Sequence, residues 1–165
     1  MGQPQRLSVR GVTLIELMVV IAVIAILSTI ATPALQNFVR DNRVTAQSNE
    51  LSSLIAFARS QSTASLFGYE LRIVNSGDGW SAEVHNLDPN CSAPCVEKDS
   101  TFTNTTLTIV TGSLPLAFND RAVLTSGEIT LALQHDPCVG QRQRTLLNVL
   151  ISGSVRTDRV ACGNG

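Results

Sequence analysis

Charge is scarce and nearly balanced in this chain of 165 residues: charged side chains make up 15% of it, and the formal net charge is -1. That balance excludes the strong overall positive field by which a basic domain gathers polyanions. Aromatic residues are only 4% of the sequence, with one Trp and one Tyr, so stacking platforms are few. Histidine occurs twice, as His85 and His135, and neither lies in a nucleophile motif such as GxSxG. No phosphate-binding loop or dinucleotide fingerprint appears. These absences favour a non-enzymatic protein with no cofactor and no small-molecule substrate. Trp80 reads as a core residue at a strand start, and His135, before Asp136-Pro137, as a turn residue.

The most telling absence is local. From Leu17 to Ala31 there is no charge, and only Ser28 and Thr29 are polar. Counted to Leu35, the apolar run is about 19 to 24 residues long, enough to cross a bilayer as a helix. Arg6 and Arg10 precede it without an acidic residue, which places the N-terminus on the cytoplasmic side. A cleaved secretory signal is the competing reading, but Thr32-Pro33-Ala34 is a poor small-x-small site. One carboxylate, Glu16, stands at the entrance of the run, where a lone charge costs up to about 2–3 kcal/mol once it nears the bilayer centre.

Helical patterning continues beyond the apolar run. Leu51, Leu54, Ile55 and Ala58 follow the i, i+3, i+4, i+7 spacing of an amphipathic helix, with Arg40, Asp41, Asn42, Arg43 and Glu50 on its other side. One helix from about Thr13 to Ser62 is expected, with Pro33 kinking or locally melting it. The remainder changes to short β-like runs between turn residues: Tyr69–Val74, Trp80–His85, Thr106–Val110, Leu114–Phe118, Arg121–Leu124, Ile129–Gln134, Thr145–Ile151 and Val155–Ala161. The last two form a hairpin at Ser152-Gly153-Ser154, and Asn86–Asn104 reads as a loop. The fold class is therefore α+β, a long N-terminal helix packed on a small, mostly antiparallel β domain of about eight strands. Residues 12–35 form the transmembrane half of the helix, residues 36–62 its amphipathic half, and residues 63–165 the β domain.

No cysteine precedes Cys91. Cys91, Cys95, Cys138 and Cys162 all lie beyond the apolar run, as suits an exported domain with two disulfides. Cys91–Cys95 would tie a tight loop and Cys138–Cys162 would close the terminal hairpin; Cys91–Cys162 with Cys95–Cys138 is the other pairing weighed. A zinc site from these cysteines and His135 is disfavoured by the spacing and by an oxidising compartment, so no metal is assigned.

The stretch Gly11-Val12-Thr13-Leu14-Ile15-Glu16-Leu17 resembles the class III signal of type IV pilins and pseudopilins: a basic leader ending in Gly, a residue that is usually Phe, then TLIEL and an apolar helix. The resemblance implies that residues 1–11 are a leader, that a prepilin peptidase cuts between Gly11 and Val12, and that the new amine of Val12 is methylated. Pro33 falls where many pilins have a helix-breaking proline. Asn49-Glu50-Leu51 through Ala58-Arg59-Ser60-Gln61-Ser62, Gly79-Trp80 and Gly153-Ser154-Val155-Arg156 with Val160-Ala161-Cys162 are similar to the GspH/FimT/FimU family. This implies two antiparallel sheets and a minor pilin, or a minor pseudopilin of type II secretion. The implied partners are other minor pilins, the major pilin or pseudopilins, prepilin peptidase and the bacterial inner membrane. Location would begin there, single-pass with the C-terminal domain periplasmic, and pass to an extracellular pilus or a periplasmic pseudopilus. Glu16 would pair with the amine of Val12 on a neighbouring subunit and set the register of assembly.

Some FimT-like proteins bind DNA through a C-terminal Gly-Arg-x-Arg motif. Here Gly153-Ser154-Val155-Arg156 lacks the first arginine, although Arg142, Arg144, Arg156 and Arg159 surround the hairpin. Four arginines there would give weak, salt-sensitive binding; a solvated sheet face or subunit interface is the competing expectation.

Overall fold

The computed structural model describes residues 12–76, 79–138 and 143–162. The leader with Gly11, and Arg142, fall outside the described residues. One helix, α1 (Leu14–Ser62), is followed by eight strands. Residues up to Val39 and from Arg40 onward form separate compact units.

In the first unit α1 is apolar on every side from Leu17 to Leu27, and its large apolar side chains, from Leu14 to Ile30, are exposed. A helix hydrophobic all round needs a non-aqueous surrounding. Its few hydroxyls are turned inward on the backbone: Ser28 donates to the Ile24 carbonyl at 2.7 Å, Thr29 to Ile26 at 2.7 Å and Thr32 to Ser28 at 2.7 Å. Such back-bonding leaves no hydroxyl donor facing an apolar medium. The helix continues through Pro33.

The second unit begins with the amphipathic part of α1. Leu51, Leu54, Ile55 and Ala58 are all 0% exposed, as their spacing requires, and Val44 joins them in the core. β1 (Tyr69–Ser76) and β2 (Gly79–Asn86) pair as an antiparallel hairpin; β3 (Val96–Thr103) adds to β2 and the short β5 (Leu116–Phe118) to β1, giving the order β3-β2-β1-β5. The second sheet runs β4 (Thr106–Thr111), β6 (Ile129–Gln134), β7 (Gln143–Val149) and β8 (Val155–Ala161), again antiparallel throughout.

Both sheets turn alternate side chains onto the same core. Leu71, Trp80, Ala82 and Val84 come from the first sheet, and Ile129, Leu131, Leu133, Leu147 and Val149 from the second. Trp80 stacks on Phe102 with ring centroids 3.9 Å apart. Its indole N–H donates to Thr105 Oγ1 at 3.2 Å; the Thr105 hydroxyl donates in turn to Gln47 Oε1 on α1. The β7–β8 turn needs glycine at Gly153, whose φ is +73° and where a Cβ would come within 2.6 Å of Arg59 Cδ and 2.9 Å of Phe118 Cε1. The hairpin tip therefore seats directly on the end of α1.

Two strand assignments need correcting. The segment read as a loop contains β3, whose inward positions include Lys98 and Ser100. These face α1 rather than the apolar centre: Lys98 Nζ lies 5.4 Å from the Phe57 ring centroid, and Ser100 donates to Glu50 Oε1 at 2.9 Å. Conversely, Arg121–Leu124 is a turn. Asn119 Oδ1 accepts the N–H groups of Arg121 at 3.0 Å and Val123 at 2.9 Å, while Ala122 takes φ 56°. The asparagine thereby supplies the acceptor that a neighbouring strand would have offered.

Tyr69 is buried at the start of β1, and its hydroxyl donates to Glu97 Oε1 at 2.7 Å. Burial first, then the bond to Glu97 and the negative charges of Glu97 and Asp88, push its pKa from the usual 10.0 up to about 12. The folded state thus holds a proton that the unfolded chain releases earlier. This contribution to stability is full below about pH 10 and is lost as pH rises through about 12. Because the chain has one tyrosine, near-ultraviolet absorbance of the folded protein titrates this group alone and should show a midpoint near pH 12. Glu97→Gln should lower that midpoint. Leu54→Ala should destabilise the β-domain unit by about 2–5 kcal/mol in denaturant unfolding followed by Trp80 fluorescence.

Candidate assembly helix and basic strands

The N-terminal end of α1 is built around Thr13 and Glu16. Thr13 is the N-cap: its Oγ1 accepts the N–H of Glu16 at 3.3 Å and its carbonyl accepts the N–H of Leu17 at 3.2 Å. Glu16 lies in the first helical turn, where a carboxylate is favoured by the positive end of the helix dipole. Val12 precedes the helix and is 72% exposed. The Thr13-x-x-Glu16 spacing of a capping box is the sequence signal for this cap.

The four cysteines form two disulfides. Cys91–Cys95 closes the connection between β2 and β3, with Cα atoms 5.7 Å apart; Cys138–Cys162 ties the segment after β6 to the end of β8, with Cα atoms 5.3 Å apart. The first loop is further held by Asn86 N–H donating to the Cys95 carbonyl at 2.9 Å. His135 sits beyond β6, with Nδ1 2.7 Å from the Asp136 carbonyl oxygen, and Thr106 donates to Asp136 Oδ2 at 2.7 Å. This polar corner lines an open cleft of about 490 Å³ together with Asn75, Gly79, Asn104 and Thr105.

The described arginines of the terminal hairpin do not share one face. In the β7–β8 register Arg144 stands opposite Val160, Asn148 opposite Arg156 and Leu146 opposite Asp158. These alternate with Thr145, Leu147 and Val149, which are buried, so Arg144, Arg156 and Asp158 belong to the outer face. Arg159 stands opposite Thr145 on the other face and donates to Thr45 Oγ1 on α1 at 3.0 Å. Asp158 interrupts the outer pair and accepts from Asn148 Nδ2 at 3.1 Å. Sequence spacing places the arginines on one hairpin; only the register separates the face of Arg144 and Arg156 from that of Arg159. Thr45 and Gln47, which with Glu50 hold α1 to the sheet edges, carry no sequence signal beyond the helical pattern, whereas Glu50 belongs to the Asn49-Glu50-Leu51 stretch singled out above.

Comparison with known proteins agrees with this architecture. The Prokaryotic N-terminal methylation motif matches residues 6–32, and the family described as Type II transport protein GspH matches residues 47–154. No protein with a curated description matches the chain by sequence. Two crystal structures of the type IV minor pilin FimU from Pseudomonas aeruginosa (strain PAO1) have a similar fold. One aligns with a TM-score of 0.55 at 14% identity, covering 69% of this chain and 91% of FimU. The other gives 0.58 at 15% identity, covering 73% and 92%.

Proposed function

The chain belongs to the GspH family of type II transport proteins, and from that premise we propose that it is a minor type IV pilin that enters a fibre through α1 and helps to start assembly at the fibre tip. The observation that carries this reading is the division of one helix between two surroundings. From Leu17 to Ile30 the helix exposes large apolar side chains and no charge, whereas Leu51, Leu54, Ile55 and Ala58 are sealed in the β domain. A subunit so built has its own core and a second apolar surface that needs either lipid or other helices.

In this reading the precursor spans the inner membrane with its N-terminus in the cytoplasm, and prepilin peptidase cuts between Gly11 and Val12. The amine of Val12 is methylated, and the helix then moves from lipid into a bundle of neighbouring pilin helices. Glu16 is the one charge that makes this transfer. An unpaired carboxylate inside an apolar bundle is strongly unfavourable, so it seeks the amine of Val12 on an adjacent subunit. That pair would fix the axial offset between helices. Pro33, which supplies no backbone donor, divides the same segment and would let it bend during packing.

The family description favours one second reading, a minor pseudopilin in a type II secretion fibre. Mass spectrometry separates the two. A peptide beginning at N-methylated Val12 in fibres sheared from the cell surface, with peptides of the β domain, is expected for the pilin. Recovery of the processed form only in the cell envelope would transfer the assignment to secretion, and an unprocessed N-terminus would remove both. Glu16→Ala should lower incorporation into fibres at least about tenfold, the effect of leaving a buried charge without its partner; incorporation at the normal level would defeat the register role.

A further inference from the structure

Among the described residues the two sheets end in β3 and β5, and in β4 and β8. An edge strand turns alternate backbone N–H and C=O groups away from its neighbour and invites a further strand unless charge, proline or brevity guards it. β3 carries Glu97, Lys98 and Asp99, and β8 carries Arg156, Asp158 and Arg159. β5 is three residues long and follows Pro115. β4, Thr106-Leu107-Thr108-Ile109-Val110-Thr111, has neither charge nor proline, and no charged residue occurs between Asp99 and Asp120. Among the described residues its backbone pairs with β6 alone.

The side chains are as open as the backbone. Leu107 packs against the core, and Ile109 shares its face, yet Ile109 is 47% exposed. Thr106 and Thr108 lie on the opposite face, both exposed. Pairing with β6 is regular from Thr106 to Ile109 and shifts at Val110, so the bulge ends the usable edge there. The order of residues makes this edge self-complementary. Two antiparallel copies centred on Thr108 set Thr108 against Thr108, and Leu107 of each against Ile109 of the other. One face then carries the threonine pair and the other face the Leu–Ile pairs, with no like charges opposed.

We propose that β4 is a homodimer edge: it pairs antiparallel with β4 of a second copy of this chain, about a two-fold axis at Thr108. The contact joins the β4-β6-β7-β8 sheets of the two copies into one continuous sheet and covers Ile109 on both. It is isologous, so pairing closes at two copies.

Directly opposed residues of an antiparallel pair have Cα atoms roughly 4.5–5.5 Å apart, within the span of a disulfide. In the full-length chain oxidised in its membranes, Thr108→Cys should therefore give a reducible product of twice the chain mass. Thr111→Cys, also exposed but displaced from the axis, lies beyond disulfide reach of its counterpart and should give at least about tenfold less. Sedimentation of the full-length chain in detergent micelles supplies the second measurement. Thr108→Lys sets two ammonium groups against each other and should weaken the dimer at least about tenfold. The same change at exposed Thr101, on the charged edge β3, should leave it intact. Trp80 fluorescence should be unchanged in both lysine variants. No product from Thr108→Cys, equal products from Thr108→Cys and Thr111→Cys, or a product that joins the chain to a different protein would overturn the second copy as occupant. A parent that stays monomeric at every concentration would do the same, as would a dimer that Thr108→Lys leaves at parental strength.

Discussion

Burial of one helical stripe holds the β domain together. Among the described residues the two sheets share no hydrogen-bonded strand pair; each ends in its own edge strands. What unites them is that both turn their apolar faces onto Leu51, Leu54, Ile55 and Ala58 of α1. Each fully buried leucine or isoleucine is worth roughly 1.5–3 kcal/mol of transfer free energy, so the stripe contributes an amount comparable with the whole net stability of an ordinary domain. The polar chain from Trp80 through Thr105 to Gln47 satisfies the one indole N–H that this packing buries. Gly153 lets the β7–β8 tip approach the end of the same helix closely enough to close that side of the core.

That stripe also determines what the rest of α1 is free to do. Once residues from Val44 to Ala58 belong to the β domain, the run from Leu14 to Ile30 has no part in its core and stays exposed. Its composition fits that freedom. An amphipathic helix would have needed a polar side, and this segment has none; its hydroxyls bond back to the helix and its only carboxylate stands in the first turn. A single helix can join a lipid-compatible segment to a water-soluble domain because backbone hydrogen bonding is satisfied internally in both media. The change of surroundings is marked by the cluster Arg40, Asp41, Asn42 and Arg43.

Much of this was legible in the sequence, and the parts that were not have definite causes. The helix and its buried positions were readable because period 3.6 persists over several turns with strongly apolar residues. The β1–β2 and β7–β8 hairpins were readable from β-branched runs and turn residues. β3 escaped because it is an edge strand whose inner face meets a helix: Lys98 over Phe57 and Ser100 on Glu50 replace the apolar side chains that a strand pattern requires. Arg121–Leu124 misled for the opposite reason, since its residues suit a strand but Asn119 takes the amides of Arg121, Ala122 and Val123 locally, and only Leu124 reaches a distant acceptor, the Ile151 carbonyl. The arginine faces depended on register, where a shift of one residue exchanges inside for outside. Arg159 thereby comes to the face of Thr145 and donates to Thr45 on α1 while staying exposed.

The polar contacts between α1 and the sheet edges follow from the same division of labour. Thr45 accepts from Arg159 on β8, Gln47 Nε2 donates to the Thr103 carbonyl at 3.1 Å on β3, and Glu50 accepts from Ser100, also on β3. The first residues of the helix inside the β-domain unit are therefore held from an edge of each sheet, and the apolar stripe begins within the next turn. The Cys138–Cys162 bond secures the strand that carries Arg159 by tying the end of β8 to the segment that follows β6. A pull along α1 would enter the β domain through these residues. Several short contacts loaded together with a buried apolar stripe must be broken at once for the helix to slip, whereas the same contacts set on the strand ends alone would open in succession. The placement of Thr45, Gln47 and Glu50 ahead of Leu51 and Leu54 thus clamps α1 to an edge of each sheet just before its apolar stripe enters the core.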